Sequence, residues 1–333
     1  MKILVTGGCG FMASNFIRYA LERYPDFSII NVDALTYAGN PENIKSIESD
    51  PRYTFIKGNI TDEKLVQSVM EQGIDAIINY AAETHVDRSI MDPKAFILTD
   101  VLGTYTLLEM VRKFNIPRYI QISTDEVYGS IDQGVFTEES SFLPNSPYAA
   151  SKASGDLLCR AYVQTYGLPV IVTHSCNFYG AYQYPEKVIP LFITNLIEGK
   201  KVPLYGDGKN VREWIYTQDH CNAICALLEK GALGEVYNIG TGYQISNVDL
   251  TMKLLEYAGC GMDMIEYVKD RPGHDRRYAL DSSKLRALGW VPKYSFEEGL
   301  QKTVQWYKDN PEWWKKIKSG EYKEYYKQQY MKE

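Results

Sequence analysis

The chain has 333 residues, of which 45% are hydrophobic and 23% are charged. This balance is ordinary for a globular protein, and the length allows one large domain or two joined domains. The formal net charge of -6 argues against broad binding to nucleic acid, which needs a basic face, although a local basic pocket could still hold an anionic substrate.

The cysteines and the apolar segments indicate in which cellular compartment the protein is expected. Among the six cysteines, the one close pair is Cys221 and Cys225, with helical spacing rather than that of a redox or zinc pair. We therefore expect reduced thiols and a cytoplasmic protein. A predicted strand starts at once, and no apolar run reaches the ~20 residues that cross a bilayer, so we expect no signal peptide and no membrane partner. With four histidines and no helical pair of His and Glu ligands, we expect no metal site.

Short apolar segments alternate with longer segments of helical periodicity over the first 180 residues. We predict strands at 2–7, 28–33, 54–58, 76–82, 119–124 and 170–175. We predict helices at 11–24, near 62–72, at 93–114 and at 148–166. This alternation indicates βαβ units and an α/β fold with a Rossmann-type, doubly wound parallel sheet.

Beyond residue 180 the chain is richer in Pro, Gly and Tyr. Helical patterns follow near 187–198, 217–230, 246–258 and 295–309. We predict a first domain over residues 1–180, to which segments near 214–242 return, and a smaller α/β domain over 181–333. The aromatic and basic segment 306–330 could contact RNA, but the spacing of its tryptophans favours surface helices that pack on the core.

A glycine turn joins the first predicted strand to the first predicted helix. Gly7, Gly10 and Ala13 have the spacing Gly-x-x-Gly-x-x-Ala, which permits a tight turn and brings a pyrophosphate close to a helix N-terminus. The second predicted strand ends at Asp33, whose carboxylate suits the ribose hydroxyls of NAD and repels the extra phosphate of NADP. The sequence therefore predicts an NAD site.

Residues suited to proton transfer follow the fifth predicted strand. Thr124, Asp125 and Glu126 stand at its carboxyl end, where parallel sheets bind ligands. Tyr148 and Lys152 follow on one face of a predicted helix. A Tyr side chain has an ordinary pKa of about 10, which a nearby ammonium and a positive nicotinamide ring lower. Thr124, Tyr148 and Lys152 therefore suit removal of a hydroxyl proton while hydride leaves the carbon.

Longer motifs extend this pattern over almost the whole chain. They are DALTYAGN (33–40), NYAAETHVDRSI (79–90), ISTDEVYGS (122–130), SPYAASKA (146–153), YQYPEKVIP (182–190), YGDGKNVREWIY (205–216) and RPGHDRRYALD (271–281). On these motifs the chain resembles the extended short-chain dehydrogenase/reductases and, most closely, the dTDP-glucose 4,6-dehydratases. STDEVYG is the most specific motif, because a 4-epimerase needs neither Asp125 nor Glu126.

The resemblance implies a lyase that converts dTDP-glucose to dTDP-4-keto-6-deoxyglucose with tightly bound NAD, which is regenerated in each turnover. Tyr148 would take the O4 proton as C4 gives up hydride, and Glu126 would remove the C5 proton. Asp125, in its protonated form, would donate to the departing C6 hydroxyl. To hold that proton near neutral pH, Asp125 needs a dry pocket or a carboxylate neighbour.

The resemblance also implies the binding residues and the partners. Those expected at NAD are Gly7, Gly10, Phe11, Met12, Asp33, Asn59, Ile60, Ala81, Tyr148 and Lys152. Those expected at the nucleotide diphosphate hexose are Thr84, Asn177, Lys187, Pro203, Tyr205, Arg212, Asn247 and Arg271. Helices matching 93–114 and 148–166 are expected to form a four-helix homodimer interface, and no nucleic-acid partner is expected.

Some residues depart from the family pattern. Asp100 replaces a usual Asn, His174 a usual Arg, Phe178 a usual Asn and Ala181 a usual Pro. Because the loop 173–183 is expected to border the sugar and diphosphate, a UDP-sugar 4,6-dehydratase acting on UDP-glucose or UDP-N-acetylglucosamine is the alternative. A non-catalytic NAD-binding module is a further alternative, although such a protein need not keep the five residues suited to proton transfer.

Overall fold

Strands and helices alternate along the chain as the sequence predicts, in a computed structural model that describes residues 1–270 and 273–320. The strands are β1 (Lys2–Thr6), β2 (Ser28–Asp33), β3 (Tyr53–Lys57), β4 (Ala76–Asn79), β5 (Tyr119–Thr124), β6 (Val170–Ser175), β7 (Asn177–Tyr179), β8 (Val202–Tyr205), β9 (Val211–Tyr216), β10 (Val236–Ile239), β11 (Gln244–Ser246) and β12 (Ile265–Val268).

The helices confirm the predicted helical segments to within a few residues. They are α1 (Phe11–Arg23), α2 (Glu63–Met70), α3 (Val86–Met91), α4 (Pro93–Phe96), α5 (Thr104–Phe114), α6 (Pro147–Tyr166), α7 (Val188–Ile197), α8 (Thr217–Lys230), α9 (Asn247–Ala258), α10 (Ser283–Arg286), α11 (Phe296–Asp309) and α12 (Pro311–Ser319). A π-helix, Ile97–Gly103, joins α4 to α5, so the predicted helix at 93–114 is continuous but not uniformly α-helical.

Seven parallel strands form the central sheet, in the order β10-β6-β5-β4-β1-β2-β3. The strand order reverses where β1 lies between β2 and β4. In doubly wound sheets ligands bind outside the carboxyl ends of the strands at such a reversal. The predicted fold class is confirmed, and the sheet directs the search for a site to the ends of β1, β4 and β5.

Both faces of this sheet are buried. Along β1, Ile3 and Val5 belong to one hydrophobic core, whereas Leu4 belongs to a second core on the other face. Strand side chains alternate between faces, so a strand covered on both sides reads as a continuous apolar run. Helix α8 packs against α1, and α5 packs against α6.

The second half of the chain adds two small sheets, β11-β9-β7 and β12-β8, over a third hydrophobic core. Trp314 of α12 is fully buried in this core. Strand β10 is contributed to the central sheet from this half of the chain. The domain boundary at residue 180 stays a prediction, and residues 321–330 of the aromatic segment lie outside the described residues.

Other features of the described residues concern cysteines, metals and membranes. All six cysteines are free thiols. Over residues 1–270 and 273–320, no group of three or more His, Cys, Asp or Glu side chains is arranged to hold a metal ion. Within the same ranges no helix is both long enough and apolar enough to cross a membrane.

Candidate active site

The glycine turn after β1 forms a cradle for an anionic group. Gly7 has a φ of +67°, and a Cβ at this position would lie 2.9 Å from the backbone of Ala81. Gly10 caps α1 without a side chain, so the first N–H groups of the helix face the turn unobstructed. Backbone donors and the positive end of the helix dipole fit a pyrophosphate, and a residue with a side chain at Gly7 would close the cradle.

Asp33 lies at the end of β2 beside this turn. Its two carboxylate oxygens accept hydrogen bonds from the backbone N–H groups of Cys9 (2.8 Å) and Leu35 (2.7 Å). Burial raises the pKa of Asp33, and these two hydrogen bonds oppose the rise. The carboxylate is therefore held rigidly at the edge of the cavity where a ribose would sit.

All ten residues predicted for NAD line one cavity at the carboxyl end of the sheet. They are Gly7, Gly10, Phe11, Met12, Asp33, Asn59, Ile60, Ala81, Tyr148 and Lys152. Thr124, Asp125 and Glu126 line the same cavity. The geometry of the turn and the acid at its edge fit a dinucleotide, so the residues present suit NAD.

Thr124, Asp125 and Glu126 turn sharply at the end of β5. The backbone continues as a 3-10 turn, Asp125–Tyr128, in which the Thr124 hydroxyl accepts a hydrogen bond from the Glu126 N–H at 3.3 Å. The same hydroxyl donates to Asp125 Oδ1 at 3.3 Å. Adjacent carboxylates on a straight strand would point to opposite faces, but this turn brings both into the cavity.

Asp125 is almost completely buried, and its Oδ2 has no hydrogen-bond partner among the described residues. Burial raises the pKa of Asp125 well above its ordinary value, and the charges of Glu126 and Glu213 raise it further. Arg212 opposes this rise. The structure thus supplies both the dry pocket and the carboxylate neighbour that a protonated Asp125 requires.

Tyr148 and Lys152 lie on one face of α6, which Ser146 caps through a hydrogen bond from Ala149 N–H. Lys152 is 4% exposed, and its ammonium donates to the carbonyl of Ile122 at 2.7 Å, which fixes it to β5. Lys152 therefore joins α6 to β5 through the same ammonium group that carries its positive charge.

The pKa of Tyr148 in the protein alone is governed by burial. Lys152 and a nicotinamide ring were expected to lower it, but in the protein alone burial raises the pKa well above its ordinary value. The charges of Glu126 and Asp100 raise it as well, and a hydrogen bond with Thr124 lowers it. Lys152 by itself is not enough, so formation of the phenolate needs additional positive charge in the cavity.

A second cavity adjoins the first and contains the residues predicted for the substrate. They are Thr84, Asn177, Lys187, Pro203, Tyr205, Arg212 and Asn247, whereas Arg271 lies outside the described residues. Glu126 lines both cavities. A ligand that fills the second cavity would therefore meet the proton-transfer residues where the two cavities join.

Two cationic side chains line the second cavity from fixed positions. Arg212 is 6% exposed, donates to the carbonyl of Asp275 at 3.0 Å and lies 4.4 Å above the ring of Tyr278. Lys187 donates to the carbonyl of Thr84 at 2.6 Å. A planar guanidinium held in this way suits a diphosphate, because it can make paired charge-assisted hydrogen bonds.

Comparisons with known proteins match this geometry. Residues 4–303 match the family described as GDP-mannose 4,6 dehydratase. A dTDP-glucose 4,6-dehydratase from Streptomyces niveus is 49% identical over 324 residues, which cover 96% of each chain. The chain belongs to this family.

Solved structures of relatives extend the comparison to ligands. The dTDP-glucose 4,6-dehydratase of Bacillus anthracis, solved in complex with NAD, is 51% identical with a TM-score of 0.90 and covers 95% of this chain and 99% of its own. The dTDP-glucose 4,6-dehydratase DesIV of Streptomyces venezuelae, solved with NAD and a second ligand, is 50% identical with a TM-score of 0.93 and covers 95% and 100%. The family resemblance predicted from the motifs is confirmed.

Of the three departures in the loop 173–183, two line neither cavity. His174 is 1% exposed and contacts Tyr128 (2.6 Å) and Asp156 (3.2 Å). The carbonyl of Ala181 accepts a hydrogen bond from the side-chain amide of Asn15. Phe178 does line the first cavity, where its ring packs on His220 at 4.6 Å. The expectation that these residues together border the sugar and diphosphate is therefore wrong for His174.

Sequence reasoning missed several residues that line the first cavity. They include Asn43, Tyr80, Glu83, Cys176, Tyr182 and Trp313. Tyr80, Glu83 and Tyr182 belong to motifs quoted for the family, so their neighbourhood was visible in the sequence. Trp313 was noticed only for its helical spacing, which carries no information about a contact with the first 50 residues.

Proposed function

We propose that this protein converts dTDP-glucose to dTDP-4-keto-6-deoxyglucose and water, with NAD regenerated in each turnover. The observation that carries this proposal is the meeting of two carboxyl groups, Asp125 and Glu126, with Tyr148 and Lys152 at the junction of two cavities. An enzyme that only oxidised or epimerised C4 would need the Tyr–Lys pair but not the two carboxyl groups. Elimination of water needs an acid and a base besides that pair.

The first step in this mechanism is removal of the O4 proton. NAD, held by the glycine turn and Asp33, supplies the hydride acceptor and donor. Tyr148 takes the hydroxyl proton, and Thr124 orients the same hydroxyl. Lys152, fixed to Ile122, favours the phenolate, and the positive nicotinamide ring provides the further charge that the buried phenol requires.

The second step is elimination across C5 and C6. The ketone at C4 acidifies the C5 proton, which Glu126 removes as general base. Asp125 donates its proton to the C6 hydroxyl, which leaves as water. The raised pKa of Asp125 keeps that proton in place near neutral pH, because burial and two nearby carboxylates disfavour its charged form.

The hydride taken from C4 would then return to C6, and Glu126 would return the proton to C5, so that NAD is regenerated and the C4 ketone is kept. The O4 proton held by Tyr148 balances the proton that Asp125 has lost.

The second cavity would hold the nucleotide part of the substrate. We assign the diphosphate to Arg212 and Lys187, with Asn177 and Asn247 as polar partners. Pro203 and Tyr205 also line the second cavity, and a flat base could pack on them. Thr84 would contact the sugar, and Arg271 is assigned to the diphosphate from its motif alone.

A product assay tests this function. Purified protein receives dTDP-glucose, UDP-glucose or UDP-N-acetylglucosamine without added NAD, and mass spectrometry detects loss of one water. We expect loss of water from dTDP-glucose, with NAD already bound to the protein. Water loss from a UDP-sugar alone would contradict the nucleotide assignment, and no loss from any of them after NAD is added would contradict the dehydratase.

The role of Glu126 is tested by a conservative substitution. Glu126→Gln should lower turnover by about 10²-fold or more, because the general base is lost, while the reduced nicotinamide still forms when the sugar is added. Absorbance of the reduced nicotinamide and product mass are measured together. Glu139→Gln, an exposed carboxylate outside both cavities, is the control and should behave as wild type. Full turnover in Glu126→Gln would remove Glu126 as the base.

We also propose that the protein is a cytoplasmic homodimer. The free cysteines support the location, because reduced thiols persist in the cytoplasm. The π-helix and α6 support the dimer, because both carry exposed apolar side chains, including Ile97, Leu102 and Leu157 at 51%, 42% and 55% exposure. An apolar face of this kind marks an interaction surface.

A further inference from the structure

The last described helix reaches the predicted cofactor cavity from the other end of the chain. Trp313 of α12 lines the cavity with the glycine turn, and its indole N–H donates to Asn43 Oδ1 at 2.8 Å. The two residues are 270 positions apart. Next to it, Trp314 is fully buried and donates to the carbonyl of Tyr307 at 2.8 Å. One tryptophan therefore anchors the helix while its neighbour faces the cavity.

Asn43 connects Trp313 to the glycine turn through a second hydrogen bond. It is 2% exposed, and its Nδ2 donates to the carbonyl of Cys9 at 2.8 Å. Cys9 in turn donates its N–H to Asp33. Because both ends of the Asn43 amide are engaged, a continuous series of hydrogen bonds runs from α12 through the turn to Asp33, the acid proposed for the ribose.

A second contact connects α12 to the loop that follows β7. Tyr182 lines the cavity with a φ of +67°, a conformation that side chains rarely adopt. Its ring lies 4.6 Å from that of Trp306 and 5.8 Å from that of Trp313, the latter edge to face. Arg18 of α1 lies 4.0 Å above the Tyr182 ring and also donates to the carbonyl of Asn43. These contacts hold Tyr182 in its disfavoured conformation.

Trp313 therefore contacts two residues that line the cavity, Asn43 and Tyr182. The turn side is held through Asn43, and the loop side is held through Tyr182. Ion pairs from Lys316 to Glu42 and from Lys318 to Glu198 hold the same helix from its other faces. Trp313 thus supports the cofactor turn through a hydrogen bond to Asn43, which itself donates to the carbonyl of Cys9.

We propose that Trp313 is a positioning residue that closes the cofactor cavity and keeps NAD bound between turnovers. This inference rests on the proposed function, in which the hydride taken from C4 must return to C6 of the same sugar. If the reduced nicotinamide left in mid-cycle, the keto intermediate would be stranded. A cavity held closed by an anchored helix prevents that loss.

The test compares full-length wild type with Trp313→Ala, Trp313→Phe and Glu312→Gln. NAD per chain is measured after gel filtration, and the NAD dissociation rate is measured after dilution into an NAD-consuming trap. We expect the dissociation rate to rise at least about tenfold in Trp313→Ala, and about fivefold in Trp313→Phe, which keeps a ring but loses the donor. Glu312→Gln, a change at an exposed side chain of the same helix, should match wild type.

Turnover with saturating NAD separates this inference from the proposed function. Trp313→Ala should recover most wild-type turnover when NAD is added, because its proton-transfer residues are intact. Wild-type occupancy and dissociation rate in Trp313→Ala would overturn the inference and leave the function standing. If circular dichroism shows that Trp313→Ala does not fold, Trp313→Phe decides, and an unchanged dissociation rate there overturns the inference. A wild type that binds NAD but dehydrates no sugar would instead overturn the function.

Discussion

Asp100 is a buried carboxylate that the proposed chemistry does not use. It accepts hydrogen bonds from the hydroxyl of Ser151 (2.6 Å) and the N–H of Glu83 (3.1 Å). Burial raises the pKa of Asp100 to about 6, and Lys152 opposes that rise. The charge of Asp100 in turn raises the pKa of Tyr148. The carboxylate therefore weakens the effect of Lys152 on the phenol.

From this we predict that Asp100→Asn moves the acid limb of the kcat/KM profile to lower pH. The variant removes a negative charge near Tyr148, so the phenolate forms more easily and the rate below the wild-type limb rises several-fold. Asp92→Asn, at the exposed start of α4, is the control and should leave the limb in place. If the acid limb of the kcat/KM profile lies at the same pH in wild type and Asp100→Asn, the charge of Asp100 has no effect on the pKa of Tyr148.

His220 makes stability depend on pH. It is fully buried between Phe178 and Tyr80, and neither ring nitrogen has a partner among the described residues. Burial lowers its pKa to about 3, below the 6.5 of an exposed histidine. Between pH 6.5 and 3 the unfolded chain binds a proton that the folded chain does not, so stability falls as pH falls.

His220→Phe should remove this part of the pH dependence. Between pH 6.5 and 5 the wild type should lose about 1.6 kcal/mol more unfolding free energy than the variant. Urea unfolding at pH 8, 6.5 and 5 measures the difference, and the pH 8 value corrects for the altered packing because His220 is neutral there in both states. Equal losses of unfolding free energy in the wild type and His220→Phe would contradict the lowered pKa of His220.

For single residues, the sequence predicted which side chains lie together in the cavity but not how burial changes their pKa values. Tyr148 and Lys152 were visible as a helical pair, and Asp125 and Glu126 as a pair at a strand end. The rise in the pKa of Tyr148 in the protein alone was not predictable, because the cost of burying a charge depends on everything packed around the phenol. Likewise, His174 belongs to a segment near the site, yet its side chain is buried against Tyr128.

Among the elements, the helix pair 93–114 and α6 carries the proposed dimer contact. Leu157→Arg on α6 should raise the dissociation constant of the dimer at least about tenfold, because each interface would bury unpaired charge. Sedimentation velocity over a range of protein concentrations measures it. Val291→Arg changes an apolar residue of the same exposure, 55%, in the segment between α10 and α11 and should leave the dimer intact. A dimer unaffected by Leu157→Arg would place the contact elsewhere.

Elements with a clear apolar pattern were predicted, whereas the three-residue strands and the six-residue β9 were not. Strands such as β2 and β6 span six residues, and α6 spans 20, so their apolar patterns are readable. Strands β7 and β11 have three residues each, too few to show an alternation. The π-helix was also not predicted, because its sequence ILTDVLG continues the helical pattern of the segments on either side.

For the whole molecule, the motifs predicted residues for NAD and for the nucleotide sugar, and these residues line two adjoining cavities, the first of which also contacts α12. The turn residues and the proton-transfer residues were correctly placed in one cavity because parallel strands bring their carboxyl ends together. The contact of Trp313 with Asn43 was not predictable, since no local pattern connects residues 270 positions apart.

The path of the chain through the central sheet also limits how such an enzyme can be recombined. Strand β10 pairs with β6, although the chain builds the small strands β7, β8 and β9 between them. A chimera made with one junction after β6 would exchange the substrate cavity and the edge strand together, and that foreign strand would have to fit the native β6. Exchange of the substrate cavity alone requires at least two junctions, so new specificities should arise more readily by point substitution than by shuffling.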